Sequence, residues 1–280
     1  MLPSLTSDAF VVSDRYFEIA KKNIEPRVGL AWQPFANGKT VLRAGAGIYH
    51  NQVLPWLYAQ HISNPPFSGK FSLDSCSDPG CTTLAFPNAA ESLVGVNPND
   101  APGTVTPRTA ASFLKVPTNY QYNMSLQHDI YKGTVVEVAY TGSHATYLPV
   151  SREGSGAIPV ICPDTPCPSG LPAGTKYFPE DAPVRNPAWD GIRYLDNIGT
   201  SNYNAGIARI STQNARGFQG QLSYTYSKAL DAAGIIAGSL SRRSPDAIMD
   251  GQDRLRDYGL SDWDQRHKLT GNFSLPIPGR

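Results

Sequence analysis

Carboxylates and basic side chains crowd into one stretch of the chain, from Asp250 to His267. The charged members are five aspartates, three arginines and one histidine, namely Asp250, Asp253, Asp257, Asp262, Asp264, Arg254, Arg256, Arg266 and His267. Clustered carboxylates could bind Ca²⁺, but EF-hand spacing is absent and the interleaved arginines can form ion pairs. We interpret the stretch as a solvated loop with internal ion pairs, and we expect neither a metal nor a cofactor.

Four cysteines form two closely spaced pairs. Cys76 and Cys81 enclose a Ser-Asp-Pro-Gly turn, and Cys162 and Cys167 enclose Pro-Asp-Thr-Pro. The spacing is longer than the usual zinc-binding C-x₂-C, and no histidine lies near either pair. Local disulfides in an oxidising compartment explain the pattern best.

Catalytic and nucleic-acid-binding patterns are missing from the sequence. Catalysis needs a nucleophile, a base and an orienting group within reach, and the sequence offers no such set at a recognised spacing. A formal net charge of +1 with no basic stripe gives no indication of nucleic-acid binding. We therefore expect neither an enzyme nor a nucleic-acid partner.

The polar side chains must be positioned by β-strands, because hydrophobicity alternates with a period of two. The clearest case is the hairpin Asn119 to Gly142, where Tyr120, Tyr122, Met124 and Leu126 alternate with polar residues. The same pattern predicts seven strands in all, near residues 26–33, 40–49, 120–129, 134–142, 202–212, 217–227 and 266–276. Face assignment is ambiguous only in 202–212.

Connections between these strands alternate between short and long. Asn37-Gly38 marks a tight turn, because both residues tolerate positive φ. Three long loops are predicted, over residues 50–118, 143–201 and 228–265. Such loops are uncommon in compact soluble domains, whereas outer-membrane barrels have tight periplasmic turns and long extracellular loops. The sequence therefore predicts an all-β protein, a segment of about seven antiparallel strands from a transmembrane β-barrel.

Polar residues on the predicted strands would face the barrel lumen if the apolar residues face lipid. The lumen-facing candidates are Arg43, Gln121, Asn123, Gln127, Glu137, Gln219, Gln221 and Lys268. They could contact a plug or a solute. Alternatively, they only bind water and pair with one another across the wall.

Four blocks carry a resemblance to a known family. They cover residues 24–51, 119–148, 202–233 and 257–279, and include NYQYNMSLQHDIYKGTVVEVAYTG and DYGLSDWDQRHKLTGNFSLPIPG. In this order the blocks resemble the barrel of TonB-dependent, Oar-like outer-membrane receptors. The resemblance implies a 22-stranded barrel, with a plug and a periplasmic segment that contacts TonB.

The expected function is therefore uptake or binding of an unidentified extracellular solute at the outer membrane, with lipid and the TonB complex as partners. Signal peptide, plug and terminal aromatic residue are not recognisable, so we interpret the chain as an internal barrel segment. A secreted or surface-exposed β-structured binding protein with loop disulfides is the alternative. The two differ in whether the apolar faces are covered by protein.

Overall fold

The computed structural model describes residues 2–3, 10–11, 18–52, 64, 107–111, 113–131, 133–163, 170–179, 181–187, 189, 191–213, 217–232 and 257–275. Fifteen β-strands lie in these ranges. They are β1 (Leu2–Pro3), β2 (Phe10–Val11), β3 (Glu18–Ile19), β4 (Arg27–Trp32), β5 (Thr40–His50), β6 (Arg108–Ala110), β7 (Phe113–Leu114), β8 (Thr118–Tyr131), β9 (Thr134–Glu153), β10 (Val160–Ile161), β11 (Lys176–Tyr177), β12 (Arg193–Gln213), β13 (Gln219–Asp231), β14 (Gly259–Leu260) and β15 (His267–Ser274). No helix in the described ranges is long and apolar enough to cross a membrane.

Nine of these strands form a single sheet. Its main path runs β14-β13-β12-β9-β8-β5-β4, with β15 also paired to β13 and β6 to β12. The long strands pair antiparallel with their neighbours in the chain, and the short β6 pairs parallel with β12. Sequence neighbours are thus neighbours in space, as in an up-and-down barrel wall.

Short connections all lie at one end of this sheet, which we call the turn end. Gly38, Gly133 and Gly217 adopt positive φ there, at 65°, 81° and 83°. The Asn37-Gly38 turn is thus in the conformation that the sequence predicts. The long connections leave from the opposite end, which we call the loop end.

All seven predicted strands have an observed counterpart, but the predicted loop boundaries are wrong at the loop end. The loop predicted at 143–201 begins and ends as strand, because β9 continues to Glu153 and β12 starts at Arg193. The loop at 228–265 likewise loses residues to β13 and contains β14, while the loop at 50–118 contains β6 and β7. The sheet therefore extends well beyond the segment in which hydrophobicity alternates.

The apolar pattern stops because the environment of the strands changes. Along Arg193 to Thr200, buried and half-buried residues alternate, yet three of the four buried positions are Arg193, Asn197 and Gly199. Buried positions still alternate there, but the residues at those positions are not consistently apolar. An analysis of hydrophobicity along the sequence therefore cannot detect this part of the strand. We call this part, residues 147–155 and 192–200, which includes the residues directly next to the strand ends, the strand extension.

The pairing between β9 and β12 is irregular at the base of the strand extension. The register shifts between Asp196 and Gly199 and again between Gly199 and Ser201. Tyr147 has a φ of 58°, in the left-handed region that non-glycine residues rarely adopt. Such bulges bend and twist a strand locally. They separate the regular sheet from its extension.

Between the bulges and the turn end, the two faces of the sheet differ sharply. One face, the apolar face, presents large apolar side chains with a third or more of their surface exposed. On this face lie Val28, Leu30, Trp32, Tyr120, Tyr122, Met124, Leu126, Val138, Tyr140, Ile210, Leu222, Tyr224, Tyr226, Leu269 and Phe273. Monomeric soluble proteins rarely expose apolar patches of this extent.

The buried core lies at the loop end instead. Val150, Ile192 and Leu195 are almost fully buried there, together with the polar Ser151 and Asn186. Gly154 packs so closely that an added Cβ would lie 3.1 Å from the Ile192 side chain. Interior packing among the described residues is thus concentrated outside the regular part of the sheet.

Candidate functional site: the polar face of the sheet

Strand register places all eight predicted lumen residues on the face opposite the apolar one, which we call the polar face. Residues directly opposite each other on neighbouring strands share a face. One such row runs from Arg43 through Ser125, Ala139, Ile207 and Thr225 to Lys268. The next row runs from Gln127 through Glu137, Arg209 and Ser223 to Thr270. Gln121 and Asn123 lie on the same face toward the loop end, and Gln219 and Gln221 toward the turn end.

Two cross-strand contacts tie the middle of this face together. The Arg43 guanidinium donates a hydrogen bond to the Gln127 side-chain oxygen. Arg209 Nη1 donates to Glu137 Oε2 at 2.9 Å, forming an ion pair in which Glu137 is the less exposed partner. Because Gln127 and Glu137 are directly opposite in register, the two contacts follow each other across four strands. They form a polar ladder, Arg43-Gln127-Glu137-Arg209.

Arg209 was missed by sequence reasoning. Its strand, β12, carries Ile207 and Ala205 on the same face, so hydrophobicity does not distinguish the two faces. Arg209, Ser211 and Gln213 are polar and occupy every second position of β12. This spacing could have indicated which side chains lie on the polar face. Pairing with Glu137 is what the sequence could not show, because it depends on register between strands 72 residues apart.

Not all of the candidates come together. Lys268 and Arg43 share a row but are separated by five strand spacings, about 24 Å at about 4.8 Å each. Gln219 and Gln221 instead line a groove of about 680 Å³ at the turn end, with Ser211, Gln213 and Asn272. The polar face therefore has a charged centre and an uncharged amide-rich rim.

Two residues of the charged stretch 250–267 form an ion pair at the sheet edge. The Asp264 carboxylate accepts a hydrogen bond from the backbone N–H of Ala229 at 2.7 Å and lies 3.2 Å from the Arg266 guanidinium. This arrangement satisfies a backbone donor of β13 on the edge between its pairings with β15, which end at Tyr226, and with β14, which begin at Leu230. Among the described residues no group of three His, Cys, Asp or Glu side chains could hold a metal ion. Residues 250–256 lie outside the described ranges.

The strand extension holds a second cluster of charged groups. Glu153 Oε1 accepts from the Ser155 N–H, the Ser155 hydroxyl and the Ile192 N–H at 2.7 to 2.9 Å. Arg152 pairs with Asp196 at 3.1 Å and lies over the Tyr194 ring at 4.2 Å. These contacts join the two ends of a long connection.

Burial perturbs two titratable groups in this cluster. It raises the pKa of the Tyr194 phenol, with a further rise from the Asp196 charge. It lowers the pKa of the Arg193 guanidinium, helped by the nearby positive charge of Arg108. Both shifts follow from placing groups where water is scarce. The cluster is thus a packed part of the loop end, where Asn64 also exchanges two hydrogen bonds with the Arg108 backbone.

One of the four cysteines lies in the described ranges. Cys162 is disulfide-bonded. Cys76, Cys81 and Cys167 lie outside the described ranges, so the pairings Cys76–Cys81 and Cys162–Cys167 stay predictions.

A sheet of sequential antiparallel strands, apolar and exposed on one face and polar on the other, is the wall of an outer-membrane-type β-barrel. The chain belongs to the family of outer membrane beta barrel domains, whose family model matches residues 4–280. No curated protein matches the chain by sequence. The protein is accordingly located in the outer membrane.

A solved structure supports the same fold. The chain is similar to the outer membrane transporter YddB from Escherichia coli at 15% sequence identity and a TM-score of 0.50. The match covers 90% of this chain and 26% of that one, so the chain spans about a quarter of the transporter's length. In such a barrel the short turns are periplasmic, the long loops are extracellular and the polar face lines the interior, so the turn end is periplasmic and the loop end extracellular.

Proposed function

We propose that this chain forms part of the barrel of a TonB-dependent transporter or receptor that takes up or binds an extracellular solute. The observation that best supports this proposal is the polar ladder, Arg43-Gln127-Glu137-Arg209, on the face opposite the lipid-facing one. The proposal gives the chain no catalytic role and no nucleic-acid partner. Outer-membrane lipid, the solute and, through a plug elsewhere in a longer protein, the TonB complex are the proposed partners.

The ladder suits a surface against which a plug or solute can move. Arg43 is exposed and bonds to the neutral Gln127 amide, so its positive charge stays available to an acidic group. Arg209, in contrast, is neutralised by Glu137 across the wall. Arg43 is thus available to contact a plug or solute, whereas Arg209 and Glu137 pair with each other within the sheet.

The strand extension supports capture of a solute outside the membrane. Its packed core lies at the loop end, beyond the part of the sheet whose apolar face is exposed. A rigid extension can hold binding loops in place, since binding residues are commonly carried by loops on a rigid scaffold. The identity of the solute is left open in this proposal.

A matched pair of cysteine variants tests the proposal in cells that express the full-length protein. If TonB pulls on a plug that covers the polar face, a water-soluble maleimide should label the Gln127→Cys variant faster in energised cells than in cells lacking TonB. Leu126→Cys, on the neighbouring lipid-facing position, should label equally slowly in both. Equal labelling of Gln127→Cys with and without TonB would contradict TonB dependence.

A secreted or surface-exposed β-structured binding protein was the alternative. It would need protein to cover the apolar face, yet Met124 and Leu126 are 52% and 47% exposed. Membership in the outer membrane beta barrel family supplies lipid as the covering medium instead.

A further inference from the structure

The groove of about 680 Å³ on the polar face lies at the turn end of β12, β13 and β15. Its polar side chains form two rows, with one residue from each strand in each row. The first row is Ser211, Gln221 and Asn272, and the second is Gln213, Gln219 and Ser274. Sites for small molecules typically have volumes of about 300–1,000 Å³, so the groove has the size of such a site.

The turn between β8 and β9 fixes one side of this groove. Gly133 lines the groove, and its carbonyl oxygen accepts a hydrogen bond from the Gln213 N–H at 2.9 Å. A Cβ added to Gly133 would lie 2.3 Å from the Gln213 carbonyl oxygen, so only glycine allows the turn to approach this closely. Val135, directly opposite Ser211, lines the same side. The backbone beneath the groove is thus held in place by the turn.

The polar side chains of the groove are accessible to a solute. Five of the six are exposed, and Ser211 is half-buried. None of the six side chains makes a hydrogen bond with another described residue. The ladder differs, because there Arg43 bonds to Gln127 and Arg209 pairs with Glu137. The amide and hydroxyl groups of the groove can therefore bind a solute without breaking contacts within the sheet.

Charge is absent from the described residues that line the groove. Asp129 lies opposite Val135 but does not line the groove, and its Oδ1 atom is buried. The ion pair of Glu137 with Arg209 lies one row further toward the loop end and is internally neutral. Removing a charged group from water without a partner is costly. The groove therefore favours a neutral solute over an anion or a cation.

The arrangement of these polar groups fits a sugar better than a peptide. The two rows are about 6.8 Å apart and neighbouring strands about 4.8 Å, so donors and acceptors cover an area rather than a line. A sugar ring carries hydroxyl groups on several sides, and hydroxyl and amide groups both donate and accept hydrogen bonds. Extended peptides also need pockets for alternate side chains. Among the described lining residues, Val135 supplies the only apolar side chain on this face.

We propose that this groove is an exit subsite for a neutral, hydroxyl-rich solute such as a short oligosaccharide. The inference rests on the proposed uptake function, because the solute must cross the lumen to reach the periplasmic turn end. There the amide groups of Gln219, Gln221 and Asn272 bind its hydroxyl groups. Each neutral hydrogen bond contributes little net stability, so the solute is held weakly enough to leave into the periplasm.

Labelling of a cysteine in the groove tests the proposal with the full-length protein in detergent micelles. Maltohexaose, cellohexaose and xylohexaose are the neutral probes, hexagalacturonate is the acidic probe and hexaglycine the peptide probe. At least one neutral probe should slow the labelling of Ser274→Cys by a water-soluble maleimide. Adding Gln221→Leu should raise the probe concentration that gives half-maximal protection by about threefold to tenfold, as expected for loss of a neutral hydrogen bond.

Gln121→Leu is the matched control, because it removes the same amide group from the polar face at the loop end, outside the groove. It should leave the protection of Ser274→Cys unchanged. The proposal would be overturned if no neutral probe protected, if hexaglycine or hexagalacturonate protected as well as the best neutral probe, or if Gln121→Leu and Gln221→Leu had equal effects. TonB-dependent labelling of Gln127→Cys tests uptake separately, so the failure of the exit subsite is distinguishable from the failure of the proposed function.

Discussion

The regular part of the sheet and the strand extension belong to the same strands but are stabilised differently. In the regular part, large apolar side chains such as Met124 and Leu126 are half exposed, and the opposite face is polar. In the extension, Ile192 and Val150 are completely buried, and Glu153 accepts three hydrogen bonds. The first part needs lipid as its solvent, whereas the second contains its own core.

This difference shows how a single strand can serve two environments. Below the bulges at Tyr147 and Gly199, lipid replaces the core, and the face toward lipid is mainly apolar. Above them, packed connections replace lipid, so polar residues are tolerated when they are hydrogen-bonded. The bulges mark the boundary between the two regimes.

The largest expected effect comes from opening a cavity in the strand extension. Ile192 is 0% exposed, and Ile→Ala at such a site typically costs about 2–5 kcal/mol. Ile192→Ala should therefore accelerate hydrogen exchange across residues 150–155 and 193–197 while heat-modifiable migration of the barrel persists. Ile210→Ala, on the apolar face near the turn end, should leave exchange in those segments unchanged. Loss of barrel migration in Ile192→Ala would show that the two parts are not separable.

A charge on the apolar face should have the next largest effect. Met124→Arg places a guanidinium near the middle of the lipid-facing part, where it typically costs about 2–4 kcal/mol. Asn123→Arg, one residue earlier and on the polar face, should cost less than about 1 kcal/mol because that face contacts water or polar groups. Urea unfolding of the full-length protein in liposomes measures both. Equal destabilisation by the two variants would mean that the faces are not distinct.

The smallest expected effect concerns the ladder. Arg209 is 38% and Glu137 15% exposed at the side chain, so solvent screening should limit their coupling to about 0–1 kcal/mol. A double-mutant cycle with Arg209→Ala and Glu137→Ala in the same liposome assay gives this coupling. A coupling several times larger would place the pair in a low-dielectric interior rather than on a lumen wall.

Sequence reasoning predicted the regular part well for a physical reason. A strand between lipid and water has one mainly apolar face. In β8, β9 and β13 the residue types therefore show which positions point to each face. The same logic placed Arg43, Gln127 and Glu137 on a single face. It failed for β12, where Ile207 and Ala205 lie on the polar face and Asn204 lies on the apolar one.

The strand extension could not be predicted in this way. Its buried positions include Arg193 and Ser151, which stay buried because neighbouring groups hydrogen-bond to them. Those partners come from distant parts of the chain, as when Asn64 binds the Arg108 backbone across 44 residues. Residue type alone does not reveal such pairings, so the sequence predicts a loop where the extension lies.

The central claim is that lipid covers one face of this sheet and not the other. Spin labels attached one at a time at residues 120–127 of the full-length protein in liposomes test it directly. Collisions with dissolved oxygen, which concentrates in lipid, should be frequent at positions 120, 122, 124 and 126 and infrequent at 121, 123, 125 and 127. Oxygen accessibility without this period of two, or with the opposite parity, would contradict the account.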